Sequence, residues 1–242
     1  MKRLIPNFVI LLLLGLLFTG CATRYSVKLD ALATGEGVPA SGSVTYDLAS
    51  GTPGVEESDL FFKEVARFLE PVLRESGFRP AGEGETADIR IEVDAYISEP
   101  MIETQTYSDP VYLHTTGHVR YMRVPVVGKD GKVVRYAYSR YYYPGYTYNA
   151  GWVERDRQVT VFDKVLKLSA SQVTGEDQYS DEVWALTVSL KDGSTDYRAA
   201  LPYMLVAARP YIGRRTEGEQ YITLTAEDPE VAAYRTSISD GR

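Results

Sequence analysis

The chain has 242 residues, of which 26 are basic and 33 are acidic, and its formal net charge is −7. The length fits one domain. No cluster of Lys and Arg stands out, so nucleic acid is not expected as a partner. Cys21 is the only cysteine, which excludes a disulfide within the chain.

The first twenty residues have the organisation of an export signal. Lys2 and Arg3 precede an uncharged run from Phe8 to Phe18, and the small residues Thr19 and Gly20 follow. A positive start, a short apolar run and a small-residue cleavage site are typical of a secretory signal. The apolar run is shorter than the roughly 20 residues that cross a bilayer core, which disfavours a transmembrane anchor.

Cys21 makes this signal more specific. The stretch from Phe18 to Cys21 (Phe-Thr-Gly-Cys) resembles the lipobox of bacterial lipoproteins, although that motif prefers Leu where Phe18 stands. The resemblance implies removal of residues 1–20, a diacylglyceryl group on the Cys21 thiol, and an acyl chain such as palmitate on the new amine. Two or three acyl chains hold a protein stably at a membrane. An ordinary signal peptide followed by a chance cysteine is the alternative.

Ala22 bears on the destination of the protein. In well-studied two-membrane bacteria, Asp after the lipidated cysteine favours the inner membrane, so the resemblance implies an outer-membrane lipoprotein that faces the periplasm. The chain from Cys21 onward has 24 basic and 33 acidic residues, a formal net charge of −9. Anionic lipid surfaces repel such a chain, which suits a domain that stands off its membrane on an anchor.

Beyond the signal, the composition predicts three segments. Residues 21–42 are predicted to be the lipidated N-terminus and a tether, in which residues 25–29 alternate like a first strand. A single α+β periplasmic domain is predicted over residues 43–225. Residues 226–242 form a polar C-terminal tail, either a short helix or disordered.

Two helices and one clear strand mark the predicted domain. The first helix is predicted from Ser58, a good N-cap residue, to Gly77, and the second from Thr195 to Arg209. Residues 88–97 alternate between apolar and polar, which predicts a strand with one buried face. The first helix has an apolar stripe of Leu60, Phe61, Val65, Phe68, Leu69, Val72 and Leu73.

The middle of the chain is predicted to be a β-hairpin, because residues 119–127 and 133–143 flank the turn signal Asp130-Gly131. Residues 158–170 alternate in two halves that slip out of phase at Asp163-Lys164, which predicts a β-bulge. The order of elements predicts an α+β fold with a mostly antiparallel sheet and two helices packed on one face. A strand–helix–strand pattern near both ends predicts an internal pseudo-repeat.

Four segments, Asp59–Leu69, Ala87–Ile91, Val183-Trp184 and Leu201–Ala208, resemble a family of bacterial envelope lipoproteins known only as a domain of unknown function. The resemblance implies an envelope lipoprotein. It implies no activity, because the family has no established one.

The sequence contains no catalytic signature. A Gly-x-Ser-x-Gly elbow, a His-Glu-x-x-His pair and a phosphate loop are all missing, so no catalytic residue, metal or cofactor is predicted. His114 and His118 would share a face of a helix, but in an extended chain they lie about 13 Å apart, and two surface histidines are favoured over a zinc site. Asp88, Glu92 and Asp94 share the wet face of one strand, where solvated charges are expected.

Tyrosine is the unusual feature of the composition. The chain has 19 tyrosines, and seven of them lie between residues 136 and 148. Tyrosine has a rigid apolar ring with a hydroxyl tip, which suits protein interfaces and stacking on sugars. Either half of these rings pack on the core and half cover a sheet edge, or they form a binding surface. The candidate binding surface consists of Tyr138, Tyr141, Tyr142, Tyr143, Tyr146, Tyr148 and Trp152.

Three functions follow from these features. The leading hypothesis is a lipid-anchored, non-catalytic binding or assembly module with an envelope protein as its partner. The second is a glycan or peptidoglycan binder that uses the same tyrosines. The third is a hydrolase of envelope polymers that uses carboxylates the sequence does not identify.

Overall fold

The computed structural model describes residues 23–34, 44–82, 84–175 and 178–240. The predicted signal sequence, the lipobox with Cys21 and much of the predicted tether lie outside these residues. The chain divides into two compact units. Unit 1 comprises the described residues up to 101 and from 160 onward, and unit 2 comprises residues 102–159. No helix among the described residues is long and apolar enough to cross a membrane.

The described residues form ten strands and three α-helices, and β8 runs from unit 2 into unit 1. Unit 1 contains β1 (Arg24–Ala33), β2 (Val44–Ser50), α1 (Leu60–Glu75), β3 (Phe78–Pro80), β4 (Ile89–Ile97), β9 (Gln178–Asp192), α2 (Tyr197–Ala208), β10 (Gln220–Thr225) and α3 (Pro229–Asp240). Unit 2 contains β5 (Met101–Thr115, from its second residue), β6 (His118–Val127), β7 (Val133–Tyr143) and the first part of β8 (Tyr146–Gly175).

The sheet of unit 1 has the strand order β10-β1-β9-β8-β4-β2-β3. The pairs from β10 to β4 are antiparallel, whereas β2 is parallel to both β3 and β4. The parallel pairs arise because the chain leaves β2, forms α1 and returns to the same sheet. A helical crossover is the usual way to join parallel strands.

The core of unit 1 lies on alternate residues of the central strands. Residues i and i+2 of a strand share a face, and the register places Leu29 opposite Val188, and Val188 opposite Leu166. All three side chains are fully buried. One hydrophobic cluster joins this face to buried side chains of α1, α2 and α3.

The predicted fold class is wrong. The described residues are 57% strand and 20% helix, and their main sheet is mixed. They form three helices, which are not packed as the expected two on one face of a mostly antiparallel sheet. The predicted pseudo-repeat is wrong as well, because β3 pairs directly with β2, whereas β1 lies between β9 and β10. In the first strand–helix–strand segment, α1 joins the adjacent strands β2 and β3. In the second, α2 lies between β9 and β10, which β1 separates in the sheet.

The bulge predicted at Asp163-Lys164 does not occur. The register of β8 is continuous there with β4 and with β9, and it shifts only after Ala170. The sequence loses its alternation because Lys164 occupies an inward-facing position, where its side chain is fully buried and its amine pairs with Asp192.

The C-terminal segment forms α3. Val231, Tyr234 and Ile238 repeat at helical spacing and are buried in the common cluster. The Tyr234 hydroxyl donates a hydrogen bond to the carbonyl oxygen of Phe68. Burial raises the pKa of Tyr234 well above its usual value, so the hydroxyl remains a donor.

Candidate functional site

Unit 2 consists of two ribbons, each made of two strands. In the tip ribbon, residues 118–143, β6 and β7 are antiparallel and turn at Asp130-Gly131, where Gly131 has a φ of 77°. In the base ribbon, residues 102–115 and 146–159, β5 pairs with β8. The predicted hairpin over residues 119–143 is therefore confirmed, because Asp-Gly supplies the left-handed turn that tightly joined strands need.

Two glycines lie where the ribbons meet. A Cβ on Gly145 would lie 2.2 Å from the carbonyl oxygen of Thr115, and a Cβ on Gly117 would lie 2.4 Å from the Tyr142 hydroxyl. The Thr115 hydroxyl donates to the Tyr146 carbonyl oxygen at 3.1 Å and accepts from the Tyr146 amide at 3.2 Å. A side chain at position 145 would collide with the backbone of Thr115, and one at position 117 would displace the Tyr142 ring.

Unit 2 has no buried residue. All 58 of its residues are described, and every one is exposed or only partly buried. Eighteen of the 26 exposed large hydrophobic residues of the described chain lie in this unit. Unit 2 therefore presents side chains that other proteins usually bury.

The register divides the tyrosines of the tip ribbon between two faces. Tyr138 lies opposite Arg123, and Tyr142 lies opposite Val119, so these rings share a face with Arg140. Tyr138 is 76% exposed and Tyr142 is 67% exposed. The structure thus brings two residues of the candidate binding surface together beside two guanidinium groups.

The opposite face carries Tyr141 and Tyr143, which pair with Arg120 and His118. The rings of His118 and Tyr143 stack with their centroids 5.3 Å apart. The Tyr143 hydroxyl also donates to the sulfur of Met122 at 3.8 Å. These contacts hold the rings of His118 and Tyr143 partly against the ribbon. The face that carries Tyr138 and Tyr142 is therefore the more open one.

The remaining members of the candidate surface lie on the base ribbon. The rings of Tyr146 and Tyr148 are 5.8 Å apart, and Trp152 is 67% exposed. None of the seven tyrosines from Tyr136 to Tyr148 is buried, so the alternative in which half of these rings pack on the core is wrong. The tyrosines that do pack in the core are Tyr46, Tyr197, Tyr203 and Tyr234.

The charge of the chain is unevenly distributed. The tip ribbon contains six basic residues and one acidic residue, a formal charge of +5. Residues 22–101 and 160–242 together contain 16 basic and 28 acidic residues, a formal charge of −12. The sequence alone does not reveal this basic segment, because its cations are spread over two strands that come together only when β6 pairs with β7. Arg123 also lies 3.9 Å from the centroid of the Tyr136 ring.

The two histidines make separate contacts. The Nδ1 atom of His114 lies 3.0 Å from the hydroxyl of Thr147, and the ring of His118 stacks on Tyr143. Among the described residues, no group of three or more His, Cys, Asp or Glu side chains could hold a metal ion.

Two of the three carboxylates predicted on the solvent-facing side of this strand, Asp88 and Asp94, make structural contacts. Asp88 accepts hydrogen bonds from both the amide and the hydroxyl of Thr45 at 2.8 Å. These bonds, the amide first, lower the pKa of Asp88 below its usual value. Asp94 accepts from Thr52 at 3.1 Å and lies 3.8 Å from the Lys167 amine.

Unit 1 has an apolar groove that the sequence did not predict. Its lining consists of Leu60, Phe61, Glu64, Val65, Tyr197, Arg198 and Leu201, and its volume is about 360 Å³. Leu60 is 84% exposed and Phe61 is 40% exposed, although both belong to the stripe predicted to face the core. They occupy the first turn of α1, and Phe62 is buried instead.

The comparisons with known proteins assign no family. No protein-family model matches the sequence, and no curated protein matches it. A crystal structure of a PDZ domain protein from Parabacteroides distasonis resembles the chain with 10% identity and a TM-score of 0.37. That match covers 84% of this chain, which spans only 40% of the length of the PDZ domain protein. The similarity is too low to assign a shared fold or function.

Proposed function

We propose that this protein is a lipid-anchored envelope protein that acts as a non-catalytic binding or assembly module, with unit 2 as its binding element. The observation that carries this proposal is the exposure of unit 2, in which none of 58 residues is buried while 18 large hydrophobic side chains face solvent. Isolated two-stranded ribbons are marginally stable in water. A partner that covers the ribbons would stabilise them by removing apolar surface from water.

The open face of the tip ribbon supports a protein partner. Tyr138 and Tyr142 share this face with Arg123 and Arg140. Tyrosine and arginine are enriched at protein interfaces, where each combines a large contact area with a polar group.

A photo-crosslinking amino acid at Tyr142 tests this proposal in living cells. Tyr221 provides a matched control, because it is 66% exposed and Tyr142 is 67% exposed, but it lies on β10 of unit 1. We expect a discrete protein adduct from position 142 and none from position 221. Equal yields from both positions, or no adduct from position 142, would remove unit 2 as the binding element.

The anchor is proposed from the resemblance of residues 18–21 to a lipobox. Intact mass spectrometry of the protein purified from membranes is expected to show a chain that begins at Cys21 and carries a diacylglyceryl group and an acyl chain. The Cys21→Ser variant is expected to lack both groups. A free thiol at position 21 in the purified protein would contradict the anchor.

A glycan ligand is the second candidate, and the base ribbon favours it. Tyr146, Tyr148 and Trp152 present exposed rings on one strand, and aromatic rings stack on sugars through their faces. Sedimentation with purified peptidoglycan separates the two candidates. If glycan binds the base ribbon, Trp152→Ala and Tyr146→Ala should each reduce the amount of protein that pellets, whereas the control Tyr221→Ala should not. If all three variants pelleted as much as the wild type, the base ribbon would be excluded as a glycan site.

A further inference from the structure

The tip ribbon has three properties that together restrict its partner. Both of its faces are exposed, and β6 and β7 pair only with each other in the described chain, so each has an outer edge of unpaired backbone groups. Its formal charge is +5. Large exposed apolar patches mark sites of association in soluble proteins.

The charge opposes pairing of one tip ribbon with another. Two ribbons of charge +5 repel each other, and like charges placed across an interface oppose association. A partner surface should instead be acidic and offer apolar contacts to the tyrosine rings. Residues 22–101 and 160–242 of this same chain, which include unit 1, are together such a polyanion, with a formal charge of −12.

The apolar groove of unit 1 provides the matching contacts. Phe61 and Tyr197 meet edge to face in it, with ring centroids 5.7 Å apart, and Leu60 is 84% exposed beside them. Glu56 and Glu57 are exposed and precede Leu60 in the chain by a few residues. The apolar floor would accept a tyrosine ring, and the exposed Glu56 would accept a neighbouring guanidinium group. Glu57 and Glu64 already contact Arg90 and Arg67, and Arg198 also lines the groove.

We propose that the tip ribbon of one copy docks on the groove of unit 1 in a second copy, through Tyr138 and Tyr142 with Arg123 and Arg140. This inference rests on the proposed binding function of unit 2 and names the partner. The two docking surfaces differ, so the contact is head-to-tail and builds either a closed ring or a filament.

Complementation between two variants tests this geometry. The ribbon variant carries Arg123→Glu and Arg140→Glu, and the groove variant carries Glu56→Lys and Leu60→Lys. Each variant keeps one intact surface. We expect the wild type to form a reciprocal dimer or a larger assembly. Each variant alone should self-associate about 100-fold or more weakly, and an equimolar mixture should form a dimer held by a single contact.

Light scattering of the mature protein in detergent measures these masses. The control for the groove variant is Leu32→Lys with Glu227→Lys, and the control for the ribbon variant is Arg214→Glu with Arg215→Glu; all four positions are exposed, lie in unit 1 and give the same charge changes. Both controls should assemble like the wild type. A second ribbon variant, Tyr138→Ser with Tyr142→Ser, leaves the charge unchanged and should also be monomeric.

A monomeric wild type, or a mixture that forms no dimer, would overturn the inference. Adducts from position 142 to a different envelope protein, in a wild type that is monomeric, would overturn it while leaving the binding function intact. The inference would also be overturned if the ribbon bound anionic lipid and not a second copy. In that case the wild type would float with phosphatidylglycerol vesicles but not with phosphatidylcholine vesicles, and the ribbon variant would lose flotation while it stayed assembled.

Discussion

At the scale of single residues, buried polar groups determine where the sequence pattern departs from simple alternation. Lys164 interrupts the apolar face of β8, and the strand keeps its register because Asp192 on the neighbouring strand neutralises the buried amine. Thr45 and Asp88 join the parallel strands β2 and β4 through reciprocal hydrogen bonds, including one from the Asp88 amide to the Thr45 hydroxyl at 2.9 Å.

The Lys164–Asp192 pair leads to a stability prediction. Asp192→Asn leaves the Lys164 amine buried without a carboxylate, so the free energy of unfolding should fall by about 3–5 kcal/mol. The double variant with Lys164→Met should recover most of this loss, because replacing a whole buried pair by apolar groups is often neutral. Urea denaturation measures both values, and Asp181→Asn, at an exposed position on the same strand, is the control; equal effects of the two Asn variants would contradict the prediction.

The contacts of Asp88 predict a pH dependence. Because hydrogen bonds from Thr45 lower the pKa of Asp88 in the folded state, its contribution to stability is present above the unfolded pKa of about 3.9 and is lost as the pH falls through the folded pKa. The Asp88→Asn variant should therefore lose less stability than the wild type on acidification below about pH 4. Some loss should persist, since Arg79 lowers the pKa of Glu85 to about 2. Chemical denaturation across this pH range would refute the prediction if the two curves were parallel.

At the scale of elements, the two units use strands in opposite ways. The central strands of unit 1 bury one face in the core, whereas β6 and β7 expose both of their faces. Alternation in residues 89–97 predicted the first kind correctly, because one apolar face is what a half-buried strand requires. The tyrosine-rich strands carry apolar rings on both faces, and their exposure shows that residue type alone does not report burial.

The tip ribbon should therefore contribute little to the stability of the rest of the chain. Replacing residues 118–143 by an Asn-Gly turn removes no buried side chain, so the free energy of unfolding of unit 1 should change by less than about 1 kcal/mol. Truncation after Glu227 is the contrasting variant, because it removes Val231, Tyr234 and Ile238 from the core. A large loss of stability in the ribbon deletion, measured by thermal denaturation, would show that the ribbon supports the fold.

At the scale of the whole molecule, the distribution of charge along the chain is more informative than the net charge. A formal charge of −7 for the chain suggests a protein that basic surfaces attract, yet the tip ribbon carries +5. Electrostatic attraction between exposed charges weakens as salt shortens the Debye length. The proposed assembly should therefore weaken between about 0.05 M and 0.5 M ionic strength, and light scattering at both concentrations measures this; an assembly that salt leaves unchanged would argue against a charge-guided contact.

The sequence by itself determined the local elements of this protein. Helical spacing and capping residues placed α1 and α2 within about two residues of their observed ends, and Asp130-Gly131 placed the hairpin turn, because these signals act between residues close in the chain. Only the tertiary structure decided the mixed strand order, the inward position of Lys164 and the exposure of Leu60 and the tyrosines. Each of these depends on residues far apart in sequence, since pairing between strands and burial in a core are set by which surfaces meet after folding.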